Sequence, residues 1–238
     1  MSTTERTARI ATNTLDHVAL WVADRDAIAD LVCRHMGMHV IDRTDKFTLV
    51  GADARLGKLT LFDAEGPRDP GLLARVVLAV TDLDDALAKL PADLEVERPE
   101  PGLAVFEGPE GLGLGLREVE SPQVEYDLES VVLRVEDPEA AYRRLETLGF
   151  DRDPDGGLFI EEKRLLLERG DPGSSDRPLL NHLAMLVDSA EGTRSEAERR
   201  GVEVADFVEA ANTWAVFLWG PERIKLEYVE HKPGFALV

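Results

Sequence analysis

Cysteine is almost absent from this chain: Cys33 is the only one in 238 residues, which excludes an intramolecular disulfide. It lies in the helical stretch LVCRHM, where buried packing is expected rather than nucleophilic catalysis. Basic residues are also scarce. Lys and Arg number 27 against 47 Asp and Glu, for a net charge of −20, a balance that opposes binding to nucleic acid or to an anionic membrane surface. The acidic groups are spread over helix faces and turns such as DLDDALA and DPEAAYRRLE, the pattern of a solvated surface rather than of an acidic tail. No apolar run approaches the ~18 residues of a membrane span. The opening MSTTERTARIATNT lacks the apolar core of a secretory signal and reads as a short frayed tail. A cytoplasmic protein is expected. A nucleotide loop is missing too: Gly111, Gly113 and Gly115 alternate with leucines in GLGLGLRE, without the dinucleotide-fingerprint spacing, and read as a strand.

What is present is a fourfold repeat. Four segments open with an apolar strand, HVALWVAD from His17, RVVLAVTD from Arg75, SVVLRVED from Ser130 and HLAMLVDS from His182. Each continues through an acidic turn into an amphipathic helix, and an Asp or Asp-Pro such as Asp137-Pro138 suits the helix start. Gly37, Gly149 and Gly201 mark three helix ends. Pairs of short alternating runs then follow, among them KLTLFDAE and IKLEYVE, separated by Gly, Pro or Asp turns. The order β, α, β, β, β at a period of about fifty residues predicts an α+β fold of four tandem modules. By composition, SPQVEYD and GDPGSSDRP are the best linkers. They suggest halves at 13–120, with modules one and two, and 121–232, with modules three and four.

Two of the five histidines, His17 and His182, stand in the same place in two repeats. Strand alternation groups His17 with Ala19 and Trp21, and His182 with Ala184 and Leu186, so small alanines leave room beside both imidazoles. In IKLEYVE, Glu227 shares a strand face with Lys225 and Val229. Two imidazoles and one carboxylate on one face of a metal form the open arrangement used by non-haem Fe(II) oxygenases, and the same groups suit Zn or Mn. His35 and His39, at the end of the first helix, are expected to be structural. A surface role is expected for His231.

The module pattern, the strand-opening histidines and the closing PERIKLEYVE resemble the vicinal-oxygen-chelate superfamily of glyoxalases, bleomycin-resistance proteins and extradiol dioxygenases. That resemblance implies two cupped mixed sheets, each built by two modules, with a divalent metal held by first and last strands. Only modules one and four open with histidine, so one is expected to pair with four and two with three, placing the metal between modules one and four. Aligning KLTLF with KLEYV puts Thr60 opposite Glu227. Glyoxalase-like relatives usually have a fourth ligand there, so three ligands favour oxygenase chemistry. The implied protein is an Fe(II)-dependent ring-cleaving dioxygenase acting on a small catechol- or hydroquinone-like aromatic, with Mn, Zn or Ni as alternative metals and a homodimer as an open option. A glyoxalase-like lyase or isomerase and a non-catalytic, antibiotic-sequestering binder are the other readings. Phe217 occupies the place of the tyrosine common in ring-cleaving relatives, and no acid is evident to replace it, because alternation should turn Asp16 and Tyr228 away from the metal. Trp21, Phe47, Thr60, Asn212, Trp214 and Phe217 are expected around the substrate, with Trp219 adding aromatic surface.

Overall fold

The computed structural model describes residues 9–154, 156–173 and 175–237. Module 1 comprises β1 (Thr14–Val22), α1 (Arg25–His35), β2 (His39–Arg43), β3 (Phe47–Asp53) and β4 (Leu56–Asp63). Module 2 follows with β5 (Leu73–Val80), α2 (Leu83–Ala88), β6 (Val96–Glu100), β7 (Leu103–Glu107) and β8 (Gly113–Glu118). Module 3 consists of β9 (Leu128–Val135), α3 (Pro138–Thr147), β10 (Asp151–Arg152), β11 (Leu158–Ile160) and β12 (Lys163–Arg169). Module 4 has β13 (Leu180–Leu186), α4 (Ala190–Arg199), β14 (Val204–Glu209), β15 (Thr213–Trp219) and β16 (Lys225–His231). From Gly113 onward the glycine-leucine run is strand β8, as its alternation implied, while Gly111 closes the turn before it.

The acidic turns work as helix caps. Side chains of Asp24, Asp82, Asp137 and Ser189 accept backbone N–H groups at the starts of α1, α2, α3 and α4, satisfying donors that have no partner within the helix. Gly37, Gly149 and Gly201 follow the three longer helices with positive φ, where an L side chain would be strained.

Modules combine in the order the histidines implied. One eight-stranded sheet runs β14-β15-β16-β13-β1-β4-β3-β2 and joins modules 1 and 4, while the other runs β10-β11-β12-β9-β5-β8-β7-β6 and joins modules 2 and 3. At the centre of the first, β1 pairs antiparallel with β13, and each has its own module's last strand as a parallel neighbour. The second sheet repeats this arrangement with β5 and β9. The strand faces turned away from the cups supply Val18, Leu20, Met185 and Tyr228 from one sheet and Val76, Leu78, Val131 and Leu133 from the other to a single core cluster. The Tyr228 hydroxyl crosses between the sheets to donate to the Leu148 carbonyl at 2.6 Å.

Two matched turns brace the sheets further. Glu110 and Glu222 lie in short 3₁₀ turns, Pro109–Gly111 and Pro221–Arg223, preceding the last strands of modules 2 and 4, and both have positive φ, 60° and 48°. The Glu110 carboxylate accepts from Ala23 N at 2.9 Å and Asp24 N at 2.6 Å, at the entry to α1. Glu222 accepts from Glu136 N at 2.8 Å, just before α3. Each carboxylate thus sits at the positive end of a helix from the other sheet.

Candidate metal centre

His17, His182 and Glu227 come together at the β1–β13 seam. His17 lies opposite Ala184, and Ala184 lies beside Glu227 on β16, so Ala184 separates those two donors, while Ala19 stands between His182 and Thr60. His17 Nε2 lies 3.2 Å from His182 Nε2 and 3.2 Å from Glu227 Oε2, and His182 Nε2 lies 2.8 Å from that same oxygen. A metal with donors at ~2.1 Å and right-angle geometry has neighbouring donors about 3.0 Å apart. The triangle therefore has the dimensions of one face of an octahedron, and its two imidazoles and one carboxylate suit a divalent cation.

The outer ring nitrogens fix the tautomers. Asp16 Oδ2 accepts from His17 Nδ1 at 2.8 Å, and Asn181 Oδ1 accepts from His182 Nδ1 at 3.1 Å, which turns both Nε2 atoms toward the cluster's centre. Simple alternation predicted Asp16 to point away, and a pair of β-bulges explains the difference. Leu15 and His17 lie opposite the consecutive residues Met185 and Ala184, so Asp16 is an extra residue in β1; between Ala19 and Leu20, Asn181 is the extra residue in β13. An inserted residue breaks the period of two, and each places its oxygen beside the histidine that follows it. The signal was present in the sequence as Asp16-His17 and Asn181-His182.

Asp16 is itself held. It is 2% exposed and Lys58, 3% exposed, reaches its two oxygens at 2.9 and 2.8 Å. Burial opposes charge on Asp16, but Lys58 and His17 outweigh it and hold its pKa down at about 2. Burial likewise opposes protonation of His17, yet hydrogen bonds to Asp16 and Glu227 lift its pKa to about 9. His182 shifts downward because burial dominates despite Glu227. Glu227 is buried too, and the two imidazoles hold its carboxyl far below the ordinary range. Near neutral pH the cluster therefore carries one proton, on His17, in the place a cation would take.

The register also places the surrounding residues. Ala19 pairs with Thr60 just as Ala184 pairs with Glu227, so Thr60 occupies the place related to Glu227 by the sheet's internal twofold symmetry. Phe217 pairs with Glu227 across β15 and β16, and its ring meets His182 edge-on at 5.3 Å. Phe62 lies 6.2 Å from the His182 ring and 5.4 and 5.8 Å from Trp21 and Phe47. Trp214 does not join this group: it alternates with Phe217 to the opposite face of β15, where Lys232 lies over its ring at 4.7 Å. Asn212 lies in the β14–β15 turn, its carbonyl accepting from Lys232 N. His35 is half-buried and contacts the Lys89 carbonyl, and His39 is exposed at the start of β2. His231 is less exposed than its position suggested, stacking on Phe235 at 3.9 Å with its Nε2 3.7 Å from Asp16.

A family model described as the Glyoxalase/Bleomycin resistance protein/Dioxygenase superfamily matches residues 14–160. The chain belongs to this superfamily. The matched stretch includes His17; His182 and Glu227 lie beyond it. No curated protein matches the chain. Among solved structures, the superfamily fold seen here is similar to that of a putative dioxygenase from Bacillus subtilis, with a TM-score of 0.78 and 17% identity over 96% of this chain and 88% of that one. It is also similar to glyoxalase I from Zea mays, with a TM-score of 0.69 and 19% identity over 91% and 92%. A third similar structure is the cppA protein from Streptococcus pneumoniae, with a TM-score of 0.60 and 14% identity over 92% and 98%. No helix among the described residues is long and apolar enough to cross a membrane.

Proposed function

We propose that the chain is a mononuclear metalloenzyme that uses His17, His182 and Glu227 to bind Fe(II) and cleaves the ring of a small catechol- or hydroquinone-like aromatic. The observation that carries this reading is the open triangle of three donors, with Thr60 standing where a fourth protein ligand would complete the twofold arrangement. A hydroxyl is a weak ligand for a divalent ion beside a carboxylate, so protein ligands occupy one side and leave the other for substrate. Bound Fe(II) would supply the vacant coordination positions and redox capacity by which a diol and O₂ react.

The protein's part is placement. Asp16 and Asn181 hold the imidazoles in the metal-accepting tautomer, and Lys58 keeps Asp16 ionised. Phe217, Phe62, Phe47 and Trp21 form an aromatic wall beside His182, suited to pack against a planar ring and restrict water. Phe217 carries no exchangeable proton, so deprotonation of the diol falls to another base.

The test is anaerobic reconstitution with Fe(II), followed by oxygen uptake and ring-fission absorbance with catechols and hydroquinones. Wild-type activity lost in His182→Ala is expected. A protein active only as an isomerase or lyase with Zn, Ni or Mn would support glyoxalase-like chemistry. One that binds aromatics equally well after His17→Ala and Glu227→Ala, with no turnover, would be a sequestering protein.

A further inference from the structure

A cavity of about 680 Å³ at the mouth of the metal cup has Trp21, Leu180 and Trp219 among its walls, together with Arg68, Arg223 and Lys225. Two aromatic paths connect the metal cluster to these cations. One runs from His182 through Phe62 to Trp21, with the Arg68 guanidinium 5.8 Å from the Trp21 ring. The other passes from His182 to Phe217, where Lys225 Nζ lies 5.8 Å from that ring and 5.3 Å from Trp219. Arg223 lies over the Trp219 ring at 4.4 Å.

None of these cations is neutralised by a described residue. In a protein with 47 acidic and 27 basic residues, acids are abundant enough to pair with all three. Yet none of the three forms an ion pair among the described residues, and the buried Arg68 Nε has no hydrogen-bond partner. Of the two acids in the wall, Glu222 is engaged by Glu136 N, and Asp176 is exposed and pairs with none of the three cations. Arg68 is not on a loose loop. The linkers after modules 1 and 3 lie side by side, with Asp69 N donating to Arg177 O at 3.0 Å and Leu179 N donating to Asp69 O at 2.7 Å. A half-buried guanidinium whose shielded Nε has no partner, held beside an aromatic wall, is suited to receive an anion.

We infer that this mouth is a subsite for a carboxylate on the aromatic substrate, with Arg68 as its anchoring cation and Lys225 as the second. The inference rests on the reading of the cup as a site for a small aromatic, and it specifies a substrate class: phenolic acids rather than neutral phenols. Cation–ring stacking for packing alone would give the same contacts without a preference for charge, and that difference can be measured.

The full chain would be titrated with 4-hydroxyphenylacetate and with 4-methylphenol, probes that differ by a carboxylate and do not chelate metal, following quenching of tryptophan fluorescence with EDTA present. Wild-type protein is expected to bind the acid at least about tenfold more tightly at low salt, with the preference shrinking as salt rises. Arg68→Met should abolish most of that preference while leaving 4-methylphenol affinity unchanged. Arg68→Lys should retain part of it, and Lys225→Met provides a second variant should Arg68→Met fold poorly. Equal affinity for the two probes, no binding of either, or a preference that persists in the Arg68→Met, Lys225→Met double variant would overturn the inference. A metal assay of the wild-type protein beside His182→Ala keeps the readings separate: acid preference in a wild-type protein that retains no metal leaves the subsite standing and removes the metalloenzyme.

Discussion

At the scale of single residues, Asp16 decides how firmly the cluster is poised. Its charge keeps His17 oriented and supports the imidazole's basicity, so Asp16→Asn is expected to weaken divalent-metal affinity by about ten- to a hundred-fold, measured by calorimetric titration. Unchanged affinity would show that the bulge positions His17 through its backbone alone. The proton on His17 sets a second expectation. With its pKa lifted to about 9, His17 is protonated in the metal-free protein across neutral pH, and metal must displace that proton. His182, shifted down by its burial, imposes no such cost over this range. Apparent affinity should therefore climb about tenfold per pH unit between 7 and 9 and level off above, with close to one proton released per metal in weakly buffered solution. A flat affinity profile through that range would contradict the assignment.

At the scale of elements, the turns before β8 and β16 hold backbone conformations that cost a non-glycine residue energy, in return for a carboxylate at another module's helix. Glu110→Ala removes two charge-assisted hydrogen bonds at the start of α1 and should lower unfolding free energy by about 1–2 kcal/mol. Glu110→Gly should lose less, because glycine relieves the positive φ; chemical denaturation of the two variants measures the order. These elements also show what the sequence could and could not reveal. Strand openings, helix starts and the matching of KLTLF with KLEYV depend on local periodicity, and the register places Thr60 and Glu227 as that match required. The bulges escaped because an inserted residue leaves no mark on a strand's composition and shows only against its partner. Arg68 escaped because linkers have no period, and Trp214 was grouped with Phe217 although an odd offset along a strand puts the two on opposite faces.

At the scale of the molecule, each sheet takes one module from either side of the midpoint. Fragments 1–120 and 121–238 each contain two modules that do not share a sheet, so neither alone can complete one. Separately, they are expected to bind no metal at the three-donor cluster; mixed and refolded together, they should form a one-to-one complex that does, as mass and metal content would report. A half that folds and holds metal alone would mean that neighbouring modules can pair with each other.

The β1–β13 seam has a consequence for biosynthesis. A ribosome releases β1 well before β13, with the side that will meet β13 bare until modules 2 and 3 have emerged, and an uncovered strand edge invites pairing with whatever strand is near. In a crowded polysome the nearest match is the β13 of a neighbouring copy. The same hydrogen-bond ladder that closes one molecule would then join two by exchange of their terminal modules, each composite sheet drawing one imidazole from either chain.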